Sequence, residues 1–296
     1  MSRSERRFTL PGGTASVASR AQWIQVAGSG AWLLGPLHLA LLAAGRSQNR
    51  WLLHRLERQW ARRAAAAIGL TVEIVGLDLI DRNERYVVAP LHEGLADIIA
   101  LERLPLDLVY TARDELHDWR FLGSYLRASR QPMVPTHGTR SAHRTLLRNM
   151  ERVLAGSESV VVFPQGSILG VEVAFQAGAF RLAARTSRPL LPVVLTGSHE
   201  VWKHPYSPAL HFDRTIRLEV LPPVAGREAM DSMRHVERTM KRRALAAEPG
   251  PRRFDPDRDG WWDGYPYEID EDFPELREMV HEHRCVPVSA RTAAWT

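Results

Sequence analysis

Cysteine occurs once, at Cys285, and lysine twice, at Lys203 and Lys241, among 296 residues. A lone cysteine closes no internal disulfide, which excludes a cross-linked scaffold and leaves no requirement for an oxidising compartment. Internal repeats and low-complexity tracts are missing as well. Hydrophobic residues make up 45% of the chain and charged residues 25%. That is enough apolar mass for a core, so disorder throughout and a collagen-like fibre are excluded. The length suits one large domain with appendages.

The scarcity of lysine hides a basic chain, because 37 arginines carry the positive charge. The net charge of +5 averages two regions. Residues 1–253 hold 35 basic and 23 acidic side chains, whereas residues 254–283 hold 11 acidic and two basic. A basic body points to an anionic partner: a membrane surface, a nucleic acid or a phosphorylated substrate.

Charge is missing entirely from residues 21–45, a run of 25 positions that includes Ala31-Trp32-Leu33-Leu34-Gly35-Pro36-Leu37-His38-Leu39. As a helix this run is long enough to cross a hydrocarbon core of about 30 Å. Both flanks are basic, with Arg3, Arg6, Arg7 and Arg20 before it and Arg46, Arg50, Arg55 and Arg58 after it. Arginine favours the cytoplasmic side, so matched flanks argue for a monotopic segment dipping into one leaflet; a single span and a cleaved signal peptide are the alternatives. Trp51 to Ile68 follows with Leu53, Leu56, Trp60, Ala64 and Ala67 at helical spacing and a separate stripe of Arg55, Arg58 and Arg62. Such a helix lies along an anionic surface or packs on the core. No zinc-finger or RNP-like motif accompanies the arginines, so the expected partner is the membrane surface and not nucleic acid.

From Thr71 onward, β-rich runs alternate with helical stretches. Strands are expected at Thr71–Val75, Tyr86–Ala89, Asp107–Tyr110, Met133–Pro135, Val160–Phe163, Leu190–Leu195 and Ile216–Val220. Helices are expected at Ala96–Arg103, His117–Ala128, Ser141–Ala155, Gly178–Ala184 and Glu228–Ala246. This alternation predicts a single α/β domain over residues 70–248, with a mostly parallel mixed sheet of about seven strands flanked by helices. A membrane-associating helical region, residues 1–69, precedes it. Pro249-Gly250-Pro251 opens an acidic, aromatic-rich extension over 249–296.

The strand Tyr86–Ala89 runs into Pro90-Leu91-His92-Glu93-Gly94-Leu95-Ala96-Asp97. A histidine at a strand exit and a carboxylate five residues later at a helix start can act as a base and its orienter. That spacing alone carries little, since a surface histidine near a helix N-terminal aspartate has the same signature. A second strand ends in Phe163-Pro164-Gln165-Gly166-Ser167, and strand ends of one sheet converge on one edge. Phe175-Gln176-Ala177-Gly178-Ala179 and Leu191-Pro192-Val193 follow.

In this order, from about Val72 to Val220, these blocks resemble the glycerolipid acyltransferase family typified by bacterial 1-acylglycerol-3-phosphate acyltransferase. His92 and Asp97 match its His-x4-Asp motif, and Phe163 to Ser167 its Phe-Pro-Glu-Gly-Thr/Ser motif. The resemblance implies acyl transfer from acyl-CoA or acyl-carrier protein to a lipid hydroxyl, without a covalent enzyme intermediate and without a cofactor. His92 would be the general base and Asp97 its orienter. Phe163, Pro164, Gln165, Gly166 and Ser167 would line the substrate site. Backbone N–H groups near Gly166 or Ser167 are the expected oxyanion donors. The site would then face the cytoplasm at the membrane.

Departures from the family pattern bear on the acceptor. Gln165 stands where the family commonly has Glu, Ile168 where it often has Arg, and Thr136-His137 where it often has Asp-Arg. The family's arginines serve as phosphate ligands, so His137 and Arg140 are the candidates to replace them. A non-phosphorylated lipid hydroxyl, such as a glycolipid, is the competing acceptor. Rival readings are a lipid-binding or membrane-scaffold protein on the same fold and a thioesterase-like hydrolase.

Remaining signals rank lower. Gly166-Ser167-Ile168 is not a nucleophile elbow, because serine follows the first glycine directly. Arg181, Arg185 and Arg188 either receive the donor's phosphates or form a solvated helix face. Asp255, Asp257, Asp259 and Asp263 fall at calcium-loop positions, yet Pro266 occupies position 12 where a bidentate Glu belongs, so an acidic turn is preferred to calcium. His281-Glu282-His283-Arg284-Cys285 matches no standard zinc spacing, which leaves no metal expected.

Overall fold

A computed structural model describes residues 6–10, 13–17, 19–135, 139–166, 171, 173–202 and 209–247. The acidic extension, including Asp255, Asp257, Asp259 and Asp263, lies outside the described residues.

Strands β1 (Arg6–Leu10) and β2 (Gly13–Val17) pair antiparallel ahead of the first helix. The uncharged segment that follows is two helices, α1 (Arg20–Leu34) and α2 (Pro36–Arg46). Ser19 starts α1 by accepting a hydrogen bond from the Gln22 N–H. The break falls at Gly35-Pro36, because proline has no N–H to continue the ladder but fits the first position of a new helix. Helix α1 buries only Val26, whereas α2 buries Leu37, Leu41, Leu42, Ala44 and Gly45. Asn49 caps α3 (Arg50–Ala67) through the Leu52 N–H.

The rest of the chain supplies β3 (Thr71–Val75), β4 (Val87–Pro90), α4 (Asp97–Leu101), β5 (Leu108–Tyr110), β6 (Ala112–Arg113), α5 (Leu122–Ser129), β7 (Met133–Val134) and α6 (Arg140–Ala155). After these come β8 (Ser159–Val161), α7 (Gly178–Thr186), β9 (Leu190–Thr196), α8 (Ser198–Val201), β10 (Ala209–Leu210), β11 (Thr215–Val220) and α9 (Ala229–Ala247). Six strands form one sheet in the order β3-β11-β9-β4-β8-β5, parallel except between β9 and β11. The strands β4, β8 and β9 and the edge strand β5 are buried along their whole length, as continuous apolar strands covered on both faces must be. Helices α6, α7 and α9 cover one face, with Phe180, Leu182, Val236 and Met240 in the contact. Helices α3 and α4 cover the other, with Ala61, Ala65, Ile99 and Leu101.

Six of the seven expected strands enter this sheet. The seventh, at Met133–Val134, pairs with Ala112–Arg113 instead. Pro132 and Pro135 bracket it, and residues without an N–H cannot extend a central ladder. The expected helix over His117–Ala128 is a short turn of helix at Asp114–Asp118 followed by α5. Helix α4 is five residues long, shorter than expected, and begins at Asp97 itself. Helix α2 lies against α5 so closely that a Cβ on Gly45 would come within 2.8 Å of the Ala128 backbone, and the His38 Nε2 is 3.0 Å from the Ser124 Oγ.

Candidate active site

Strand β4 delivers His92 to the edge of the sheet where its parallel neighbours β8 and β9 also end. The Leu91 N–H bonds the Val193 carbonyl at 2.9 Å, so pairing with β9 continues to the residue before His92. The chain then folds around one carboxylate. Asp97 is fully buried, and its Oδ2 accepts from the His92 Nδ1 at 2.6 Å, the Glu93 N–H at 2.8 Å and the Gly94 N–H at 3.2 Å. The four residues between His92 and Asp97 are thus a tight loop whose own amides the orienting carboxylate holds. With Nδ1 bound, the imidazole carries its free lone pair on Nε2, which no described residue engages. The His92 side chain is 17% exposed.

The second motif braces the first. The Phe163 ring stacks on the imidazole at 3.9 Å between centroids and 24° between planes. Gln165 is buried, and its Oε1 accepts from the His92 N–H at 3.3 Å. Gly166 has φ +67°, a left-handed conformation that favours glycine, although a Cβ there would meet nothing within 4 Å. The requirement is therefore in the backbone and not in the space. The Gly166 N–H donates to the Phe163 carbonyl at 3.2 Å and closes the turn. Of the two expected oxyanion donors, the one at Gly166 is engaged within the turn itself, and Ser167 lies outside the described residues, as does His137. Arg140 is the first residue of α6, which Thr139 caps by accepting from the Ala142 N–H. Two of the arginines considered for donor phosphates are held elsewhere, Arg185 by Glu151 and Arg188 by Glu84.

One pair escaped the sequence reading. The buried Glu93 faces His199, with Nδ1 to Oε2 at 3.1 Å, and the Leu95 N–H bonds the Trp202 carbonyl at 3.2 Å. Helix α8 thus supports the His92 loop from behind. The available signal was positional: His199 lies three residues beyond β9, the strand beside β4. Among the described residues, no group of three or more metal-ligating side chains is assembled.

A buried carboxylate bound to an imidazole, at the carboxyl edge of parallel strands of an α/β fold, is an arrangement able to act as a general base. Residues 71–196 match the family described as Acyltransferase. It is 28% identical over 136 residues to the 1-acyl-sn-glycerol-3-phosphate acyltransferase of Saccharomyces cerevisiae, which covers 44% of this chain and 45% of that protein. It is 26% identical over 129 residues to the Bacillus subtilis protein of the same name, covering 43% and 63%. The matches therefore span less than two thirds of these relatives. The fold is similar to that of the 1-acyl-sn-glycerophosphate acyltransferase PlsC from Thermotoga maritima, with a TM-score of 0.61, 19% identity, and coverage of 78% of this chain and 96% of that one.

Proposed function

We propose that this protein transfers a fatty acyl group from a thioester, acyl-CoA or acyl-carrier protein, to a lipid hydroxyl at a membrane surface. The observation that carries this reading is the His92 imidazole, bound through Nδ1 to buried Asp97 and unclaimed at Nε2. Nε2 removes the proton from the acceptor hydroxyl as its oxygen attacks the thioester carbonyl. The tetrahedral adduct then collapses, the C–S bond breaks, and the departing thiolate takes the proton from the imidazolium. Asp97 holds the tautomer and stabilises the imidazolium formed in between.

The acceptor class follows from the relatives, whose names specify 1-acyl-sn-glycerol-3-phosphate. Gln165 bears on the choice among acceptors. At a buried position it holds the His92 N–H as a carboxylate would, but adds no second charge beside Asp97. The phosphate contact is assigned to His137 and Arg140.

Attachment to the membrane is assigned to residues 1–69, and the chemistry to residues 70–248. Residues Arg20–Arg46 are long and apolar enough to cross a bilayer by length and composition. Yet α2 is docked on α5, and the exposed side of this region shows Trp23, Ile24, Trp32, Leu34, Leu39 and Trp51. The Arg63 guanidinium lies over Trp32 at 5.5 Å and that of Arg55 over Trp51 at 5.4 Å. Aromatic rings paired with arginines suit the headgroup level of one leaflet, with the catalytic domain on the cytoplasmic side.

The test is a labelled acyl thioester incubated with membranes and a panel of lysophospholipid and glycolipid acceptors. Transfer yields a labelled acylated lipid, and His92→Ala abolishes it. Free fatty acid as the only labelled product would make the protein a hydrolase, and no turnover with any acceptor would leave it a lipid-binding protein.

A further inference from the structure

One of the two lysines in the chain, Lys241, is buried on α9, 2% exposed, and so is Glu237 one turn before it, 1% exposed. Both lie outside residues 71–196. The Lys241 Nζ donates to the Glu237 Oε1 at 2.8 Å, and the Arg234 Nη1 donates to Oε2 at 2.8 Å. The third donor comes from another part of the chain: the Phe175 N–H reaches the Glu237 Oε1 at 2.9 Å. The Lys241 ammonium also lies 5.6 Å from the Phe175 ring centroid. An ion pair buried this deeply is not needed for stability, since apolar residues of the same volume usually serve as well or better. What they cannot supply is an acceptor for a buried backbone amide.

The held amide is one residue from the backbone that bonds to the second motif. The Gln176 N–H, next in the chain, bonds the Pro164 carbonyl at 2.6 Å. Pro164 is followed by Gln165, whose Oε1 holds the His92 N–H. A continuous run of hydrogen bonds thus leads from α9 through Phe175, Gln176 and Pro164 to the backbone of the proposed base. We propose that Glu237, with Lys241 holding its carboxylate, is a positioning residue for that base. It fixes Phe175 and Gln176 and, through the Pro164 carbonyl, the register of Gln165 against His92. This inference rests on the proposed role of His92.

The test separates the acceptor from the charge. Glu237→Gln with Lys241→Leu keeps an amide oxygen where the carboxylate was, while Glu237→Leu with Lys241→Leu removes it. Both double variants are assayed at a temperature where circular dichroism shows them folded. The Gln form is expected to keep wild-type kcat/KM. The Leu form should lose about tenfold to a hundredfold, chiefly in kcat, the penalty for a small misplacement of reacting groups. Equal kcat/KM in the two folded variants overturns the proposal. Amide hydrogen exchange on the wild-type chain needs neither variant: Phe175 and Gln176 should be protected to the level of β4 and β9, and exchange at loop rates overturns the proposal too. His92→Ala runs alongside. Full activity there rejects the catalytic reading itself, whereas failure of the Gln/Leu contrast with an inactive His92→Ala rejects only the positioning role.

Discussion

Two of the imidazole–carboxylate clusters among the described residues, those of His92 and His54, are wired differently. At His92 one nitrogen is bound to Asp97 and no described residue takes the other. At His54, on α3, both nitrogens are taken: Nδ1 by Glu57 at 2.7 Å and Nε2 by Glu158. Glu57 in turn accepts from the Tyr125 hydroxyl, Glu158 from the Arg50 Nε at 2.7 Å, and Gln131 links Tyr125 to the Tyr110 N–H. Glu102, at the end of the helix that Asp97 begins, accepts from the Tyr110 hydroxyl at 2.8 Å. Both places pair an imidazole with carboxylates. A base needs an unclaimed nitrogen and a route to substrate, whereas a fully capped imidazolium serves as a tie, here between α3 and the sheet domain.

That contrast sets opposite expectations for the two histidines. His92→Ala should lower kcat by about 10²–10⁴-fold, the usual share of a general base, while the melting temperature stays near wild type. Asp97→Asn should fall in the same range for a second reason, since a carboxamide oxygen can accept the three hydrogen bonds now made to Oδ2 but brings no negative charge to stabilise the imidazolium. Parallel steady-state kinetics and thermal melts check both. A His92→Ala protein with undiminished kcat would erase the distinction between the clusters.

His54→Leu should reverse the pattern. It leaves Glu57 buried and Glu158 largely so, without their shared cation, a loss on the order of 3–5 kcal/mol. Urea titration measures that loss, and kcat of the fraction that remains folded should match wild type. Loss of kcat without loss of stability would mean that the α3 cluster reaches the active site, through Glu102 and α4.

The two clusters were unequally legible in the sequence. His92, Asp97 and the 163–167 turn could be found because a local spacing and an ordered set of blocks report on them. Six sheet strands could be found from their β-rich runs: β4, β5, β8 and β9 are apolar runs unbroken by charge, and β3 and β11 alternate between sheet faces. The His54 cluster had no such signal. Its members come from residues 50, 54, 57, 102, 110, 125, 131 and 158, and only packing brings them together. Glu237 and Lys241 read as ordinary i, i+4 surface partners on a helix, and the partner that gives them meaning, the Phe175 N–H, is 62 positions away. The turn of helix at 114–118 was missed for a local reason. A Cβ on Gly123 would come within 2.0 Å of the His117 carbonyl, so the chain bends where the hydrophobic pattern alone suggested continuity.

Protonation sharpens the comparison further. Burial alone would push the His54 imidazole down, but its hydrogen bonds to Glu158 and Glu57 prevail and hold it at about 9. Burial, joined by the charge of Glu57, pushes Glu102 up to about 8. Both groups therefore keep in the folded state a proton that the unfolded chain releases earlier. The stability due to His54 is complete below pH 6.5 and is lost as pH rises through 9. The penalty from Glu102 grows from pH 4.5 and levels off above about 8. Stability should thus fall continuously from pH 5 to 9, and chemical denaturation across that range checks the slope. Glu102→Gln should flatten the decline below pH 8.

The smallest expected effect tests how much of the open site depends on backbone shape alone. Gly166 adopts φ +67° with no atom within 4 Å of a would-be Cβ, so Gly166→Ala adds strain but no clash. Holding alanine in the left-handed region costs about 1–2 kcal/mol, and the Gly166 N–H bond to the Phe163 carbonyl works to keep it there. Gly166→Asn should recover most of that loss, because asparagine tolerates the same conformation. If the turn matters only as the support for Phe163 and Gln165 against His92, kcat should follow stability, with Asn above Ala. If instead an acyl chain or headgroup must pass over the empty space beside Gly166, asparagine, the larger side chain, will be the worse enzyme despite the better fold. Measuring melting temperature and KM on the two variants decides between support and passage.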